Sequence, residues 1–409
     1  MTEGTDMLTL DRIYHAAYVL KDVARKTVLI PAPEFTDGFR PGREIYLKSE
    51  NLQLTGSFKL RGAYYKISQL TDEQKAAGII ACSAGNHAQG VALSASSMGI
   101  KSTICMPDSA PISKIENTKH LGAEVVLVPG TYDDAHEMAV KLQKETGATL
   151  IHPFDDELIM AGQGTIGLEI LEQLSDVDVV LCPIGGGGLI SGVAFALKSL
   201  NPDIKVYGVQ AENAPSMYES VKQGKMITVD SVATFADGIA VQTPGEKTLE
   251  LVRDYVDDVI TVTEDQIAAA ILHLLESQKL IAEGAGAVSI AAAMFSDLPL
   301  EGRKTVCIVS GGNIDVTILS RVIARGLATS GRTTTLTLAL DDRPGQLVRV
   351  IQAVAKCNAN VTAVYHEKSD PNTPISSCIL RVSLETRDFE HISEIRKELR
   401  NEGFHILDE

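Results

Sequence analysis

The sequence predicts an α/β protein carrying a small α+β module at its C-terminal end, and three observations lead there. Short β-branched runs alternate with longer amphipathic stretches from about Ile45 to Val309, the pattern of parallel strands joined by helices. Several of these runs end in Gly- or Ser-rich turns, and ligands collect at such strand ends. Beyond Arg325 the chain turns small and polar, then reads βαββαβ, the order of a ferredoxin-like module.

The expected strands are AGIIACSA, KSTICMP, AEVVLVPG, DVVLCPIGG, KVYGVQAE and KTVCIVSGG. Each has a β-branched or apolar centre and reads as a buried parallel strand. Between them, Ala88 to Met98, Tyr132 to Thr146 and Gly164 to Gln173 read as helices. The uncharged run from Val179 to Leu197 has the length of a membrane span. However, Pro183 and the glycines Gly185 to Gly188 divide it into strand, loop and helix. Residues 1–325 are therefore expected as one large unit, with a smaller subdomain at about 53–155, and 326–332 as a linker. In 333–409, TTTLTLALD is a strand and DRPGQLVRVIQAVAKCN a turn and helix. NVTAVYHEK and ISSCILRVSLET are strands, Asp388 to Asn401 is a helix and FHIL a last strand.

The 409 residues are 44% hydrophobic and 22% charged, enough apolar material for large cores. A net charge of −16 and the lack of any basic block argue against nucleic acid as a partner. The opening residues carry acids early and show no signal-peptide pattern. The six cysteines are scattered without a C-x-x-C pair, as in a cytoplasmic protein with reduced thiols, and no metal site is expected.

Five segments carry chemistry. In Thr55-Gly-Ser-Phe-Lys-Leu-Arg-Gly62, Lys59 follows Phe58 at the start of a helix. A lysine held against apolar surface and near other cations has a lowered pKa and a free amine, although an isolated lysine is most often merely solvated. Ser83-Ala-Gly-Asn-His-Ala-Gln-Gly90 follows a strand, so its amides and the helix behind them form an anion cradle. Asn86 or Ser83 equally serves as a plain helix cap, and His87 is a base or a structural ring. Pro183-Ile-Gly-Gly-Gly-Gly-Leu189 lets backbone close around a phosphate at a helix N-terminus. A dinucleotide reading is weaker: Gly186 and Gly188 start that fingerprint and Glu212 falls near its acid, but Ser191 stands at the third glycine. In Val309-Ser-Gly-Gly-Asn313, Ser310 offers a neutral donor to a ring nitrogen. In Ala282-Glu-Gly-Ala-Gly286, Glu283 is a buried functional carboxylate or a cap.

Together SFKLRGA, SAGNHAQG, PIGGGGL, EGAGA and SGGN, in that order over about residues 10–325, resemble the fold-type II pyridoxal-phosphate enzymes with a tryptophan-synthase-β-like fold. Within them the match is to the threonine and serine ammonia-lyases. The resemblance implies pyridoxal 5'-phosphate as cofactor and Lys59 as Schiff-base lysine and general base. It puts Phe58 against the ring and Asn86 on the phenolic oxygen. Gly185, Gly186, Gly187, Gly188 and Leu189 would hold the phosphate, with Gly238 and Glu283 beside the cofactor and Ser310 at the pyridine nitrogen. Ser83, Ala84, Gly85, Asn86 and His87 would bind the substrate carboxylate. The implied reaction takes L-threonine to 2-oxobutanoate and ammonia, and L-serine to pyruvate. Ala84 stands where racemases of the family carry a serine, which disfavours racemisation. Gln210 stands where they carry an acidic metal ligand.

The tail resembles an ACT regulatory domain, with Asp342-Arg-Pro-Gly-Gln-Leu347 as its turn. That likeness implies an amino-acid effector near Arg343, Gly345, Gln346 and Leu347, and assembly as a homodimer or homotetramer. Biosynthetic relatives answer to isoleucine and valine. The rival readings are serine as the main substrate, a thiol-accepting synthase of the same fold, a nicotinamide-dependent dehydrogenase, and an amino-acid sensor without turnover.

Overall fold

All six apolar runs form parallel strands, divided between two sheets. In the computed structural model, which describes residues 7–33, 35, 42–368 and 374–407, the larger sheet has six strands in the order β1-β2-β10-β7-β8-β9. These are β1 Leu29–Pro31, β2 Glu44–Lys48, β7 Val179–Pro183, β8 Lys205–Ala211, β9 Asp258–Val262 and β10 Lys304–Ile308. Only the β1–β2 pairing is antiparallel. The smaller sheet is parallel throughout, in the order β5-β4-β3-β6. It comprises β3 Ile79–Cys82, β4 Ser102–Pro107, β5 Glu124–Val128 and β6 Thr149–Leu150. Residues 1–6, part of the segment that lacks a signal-peptide pattern, lie outside the described residues.

Burial follows from composition. β3 and β7 are buried along their whole length, so they carry no polar face to show to water. Gly284–Phe295, rich in small residues, forms a helix buried from Gly284 to Met294. It packs against β7, β8, β9 and β10. The helix expected from Gly164 starts earlier, at Glu157, where Asp156 caps it by accepting from the amides of Leu158 and Ile159.

A buried charge network fixes the helix Lys59–Ser68. Arg61 donates to Glu50 Oε1 and Oε2 at 2.8 Å each and to Glu169 Oε1 at 2.6 Å. Lys48 donates to Glu169 Oε2 at 2.6 Å. Arg61, Glu50 and Lys48 are almost completely buried. Such a set costs much desolvation and is held only when each charge is paired.

The chain divides at Leu319/Ser320, six residues before the expected end of the large unit. The expected linker 326–332 is also corrected: its first four residues belong to a helix, Val316–Thr329. The glycine that suggested a linker, Gly326, is buried within that helix. In the second unit the βαββαβ order is present, with β11 Thr333–Asp341, β12 Asn360–Glu367, β13 Ser377–Glu385 and β14 His405–Ile406. Their order β12-β13-β11-β14, all antiparallel, is the ferredoxin-like arrangement. Leu336, Leu338 and Leu340 of β11 and Leu380, Val382 and Leu384 of β13 face its core at every second position.

Candidate active site

The five chemistry-bearing segments meet in one cavity of about 710 Å³, room enough for a cofactor and an amino acid together. It is lined by Phe58, Lys59, Ser83, Ala84, Gly85, Asn86, His87, Gly185 to Leu189, Gly238, Glu283 and Ser310. It opens at the C-terminal ends of β3, β7 and β10, where three of the expected turns begin. The turn before Lys59 is laced to the turn after β10. Ser57 and Gly311 form a β-bridge, Phe58 N donates to Ser310 O at 3.1 Å, and Gly312 N donates to Gly56 O at 2.9 Å.

Lys59 is the first residue of its helix, and its Nζ donates to Pro153 O at 2.7 Å and lies 5.3 Å from the Phe58 ring centroid. Burial lowers its pKa to about 8, partly opposed by the charge of Glu283. The expected lowering is present and comes from the apolar burial, one of its two expected causes, and not from neighbouring cations. Glu283 sits just before the helix Gly284–Phe295. Burial, then the charge of Asp237, raise its pKa to about 7, against the hydrogen bond from Asn86. Asn86 Nδ2 donates to Glu283 Oε1 at 2.6 Å. The side chain of His87 is spent structurally: burial holds its pKa near 3, and Nε2 donates to Ile151 O at 2.9 Å. Its ring is therefore a neutral strut rather than a base poised near neutral pH.

The glycine loop has the chemistry of a phosphate cradle. Gly187, at φ +101°, caps the helix Gly188–Leu200, and the amides of Gly185 to Leu189 donate to no acceptor among the described residues. Those donors and the positive helix end suit a phosphate. Across the same cavity stands an amine of lowered basicity, so a phosphate-bearing aldehyde fits the donor set. Ser83 Oγ accepts from Gly85 N at 3.1 Å, which leaves its hydroxyl proton for an anion. Glu212 is exposed and does not line the cavity, which removes the acid that a dinucleotide site needs. Gln210 is buried with its amide committed, Nε2 to Ile184 O and Oε1 from Tyr218 N.

Five contributors were not anticipated. Phe154 packs against Gly186 and Gly188, and Thr248 Oγ1 donates to Gly186 O at 2.6 Å. Lys114 pairs with Asp237, both lining the cavity. Asn313 donates to Asn86 Oδ1 at 2.7 Å; its place in SGGN was the signal for it. The expected effector residues Arg343, Gly345, Gln346 and Leu347 lie in the second unit, at the turn entering the helix Gln346–Lys356, with Gly345 at φ +91°. Also in that unit, Asp342, His366 and Cys378 bring ligand atoms within 4.8 Å of one another, with Asp342 already held by Lys368 at 2.6 Å.

Comparison with known proteins agrees with the cavity. Residues 20–311 match the family model described as pyridoxal-phosphate dependent enzyme. An L-threonine ammonia-lyase of Thermotoga maritima is 49% identical over 98% of this chain and 99% of its own. A catabolic L-threonine dehydratase of Staphylococcus aureus is 48% identical over 78% of this chain and 93% of its own. Among solved structures, the processed threonine deaminase isoform 2 of Solanum lycopersicum superposes with a TM-score of 0.73 at 38% identity, covering 79% of this chain and 96% of its own. Maize serine racemase gives 0.74 at 36%, covering 79% and 98%. With Lys59, the glycine loop Gly185 to Leu189 and Ser310 lining one cavity inside the matched span, this chain belongs to the pyridoxal-phosphate dependent enzymes.

Proposed function

We propose that this chain is a threonine ammonia-lyase, converting L-threonine to 2-oxobutanoate and ammonia and L-serine to pyruvate. The observation that carries the proposal is that Lys59, the turn Ser83 to His87, the glycine loop Gly185 to Leu189 and Ser310 line one cavity. Relatives named for threonine deamination, similar over nearly the whole chain, support the choice of substrate. When bound, pyridoxal phosphate supplies an electron sink that acidifies the α-hydrogen of an attached amino acid.

The protein's part follows from its own groups. Gly185 to Leu189 hold the phosphate through amides and the helix end. The amides opening the helix Asn86–Ser97, together with the Ser83 hydroxyl, bind the substrate carboxylate, which orients its α-hydrogen toward Lys59. With its pKa near 8, the Lys59 amine is partly neutral near pH 7 and takes that proton. Ser310 would meet the ring nitrogen as a neutral donor, a setting that would favour prompt departure of the β-hydroxyl, with a proton, as water. The water lost is regained on release of ammonia, so threonine equals 2-oxobutanoate plus ammonia in atoms.

Racemisation is the competing chemistry on this fold, and Ala84 speaks against it. Ala84 lines the cavity with a methyl group at the position where racemases of the family carry a serine hydroxyl that protonates the opposite face. The second unit is read as an ACT-type regulatory domain that takes an amino-acid effector. The assembly is a homodimer or homotetramer in the cytoplasm; no helix among the described residues can cross a membrane. A keto-acid assay on threonine and serine, with and without branched-chain amino acids, tests the whole reading. Product from neither substrate would overturn it.

A further inference from the structure

The hydrogen bonds around Asn86 form a chain whose direction is fixed at one end by the backbone. Thr55 O can only accept, so the Asn313 amide must turn its Nδ2 toward it, at 2.7 Å. The other Nδ2 hydrogen of Asn313 reaches Asn86 at 2.7 Å, and the atom it meets must therefore be the acceptor Oδ1. That leaves Asn86 Nδ2 on the far side, where one hydrogen goes to Glu283 Oε1 at 2.6 Å. The second Asn86 hydrogen is available to the cavity that Asn86 lines.

Asn313 itself does not line the cavity, and its seat is built for it. Gly56 lies at φ +70°, and a Cβ there would come within 2.5 Å of Asn313 Oδ1. A Cβ on Gly311 would collide with Glu283 Oε1 and stand 3.1 Å from Asn86 Nδ2. The two turns laced together beside Lys59 thus leave space for an amide relay, and for nothing larger.

We propose that Asn313 is a positioning residue that locks the Asn86 side-chain amide with its N–H face toward the cofactor and its carbonyl away from it. An asparagine amide turned by 180° keeps its shape and presents an acceptor where a donor stood. Without Asn313, the Glu283 carboxyl alone holds the Asn86 amide, and the turned form, which sets its carbonyl against the electron-rich phenolic oxygen of pyridoxal phosphate, becomes more accessible. The inference rests on the assignment of Asn86 to that oxygen.

The test is a double-mutant cycle read as the dissociation constant of pyridoxal phosphate from the full-length protein, together with the visible absorption maximum of the loaded enzyme. Asn313→Ala in the wild-type background is expected to weaken binding about 3- to 10-fold, as loss of one oriented hydrogen bond does, and to move the absorption maximum. In an Asn86→Ala background the same substitution is expected to change binding less than about twofold and leave the maximum in place. Equal weakening in both backgrounds would show a merely structural role and overturn the proposal, as would no effect in the wild-type background. If Asn86→Ala alone binds the cofactor normally, the assignment of Asn86 falls, and the proposal with it. Asn313→Asp, of the same shape but unable to donate to Thr55 O or Asn86 Oδ1, runs through the same cycle should Asn313→Ala not fold. Its added charge acts in both backgrounds and cancels.

Discussion

Replacing Gly187 by alanine tests the phosphate cradle through backbone alone. Gly187 sits at φ +101°, and a Cβ there would lie 2.6 Å from Thr248 Cβ and 2.8 Å from Met217 Cε. The methionine end can swing aside. Thr248 cannot, because its hydroxyl is bonded to Gly186 O at 2.6 Å and its amide to Asp155 Oδ1 at 3.1 Å. An L side chain in the left-handed region costs about 1–2 kcal/mol, and displacing a packed loop adds on the order of 1 kcal/mol. If the loop relaxes only by losing its grip on phosphate, the sum of about 2–3 kcal/mol appears as roughly 30- to 140-fold weaker cofactor binding. The assay is titration of the cofactor-free protein with pyridoxal phosphate, followed by visible absorbance. Gly224→Ala is the control: Gly224 has φ +68°, no atom within 4 Å of an added Cβ, and no place in the cavity. It should lose stability but bind cofactor normally. A folded Gly187→Ala protein with unchanged cofactor affinity would refute the reasoning.

Three further outcomes are expected. Arg61→Met leaves Glu50 buried without its partner and should cost about 3–5 kcal/mol in denaturant unfolding. Burial pushes the Glu50 carboxyl up, but Arg61 overrides this and holds it below its ordinary value. The pairing therefore stabilises above the usual carboxylate range, and the gap between wild type and variant should narrow as pH falls through that range. Glu283→Gln removes the charge that raises the Lys59 pKa, so the pH midpoint for reaction of the free Lys59 amine with an aldehyde should drop below about 8, read from initial rates in cofactor-free protein. An unchanged midpoint would mean that Glu283 is neutral there. A chain ending at Leu319 should keep turnover and lose any response to amino-acid effectors in the keto-acid assay. The Staphylococcus aureus relative matches 93% of its own length within 324 residues, which leaves it no room for a comparable tail.

Much of the fold was legible because its signals are local. A strand buried on both faces writes itself as an apolar run, and the turns that follow β3, β7 and β10 announce themselves by glycine and serine. β9 was not foreseen: DVITV follows an acidic stretch and ends in a helix-capping threonine, Thr263, rather than a glycine turn. The boundary after Leu319 was misread because small, polar residues suit a linker and a helix end equally, and only packing distinguishes them. At the site, the residues with special chemistry could be named from sequence, yet their supports could not. Glu169 lies 108 positions from Arg61, and Asn86 lies 197 from Glu283, separations over which no periodicity speaks. Phe58 beside Lys59 signalled apolar surface as a cause of the lowered pKa, whereas the completeness of the burial is a property of the whole fold.

The whole account depends on the cofactor being joined covalently to one lysine. Reducing the loaded enzyme with borohydride fixes that bond, and peptide mass mapping then locates it. The expected result is a single pyridoxyl adduct on Lys59 and none in Lys59→Ala. Modification of a different lysine, or a Lys59→Ala protein that still forms 2-oxobutanoate, would contradict it.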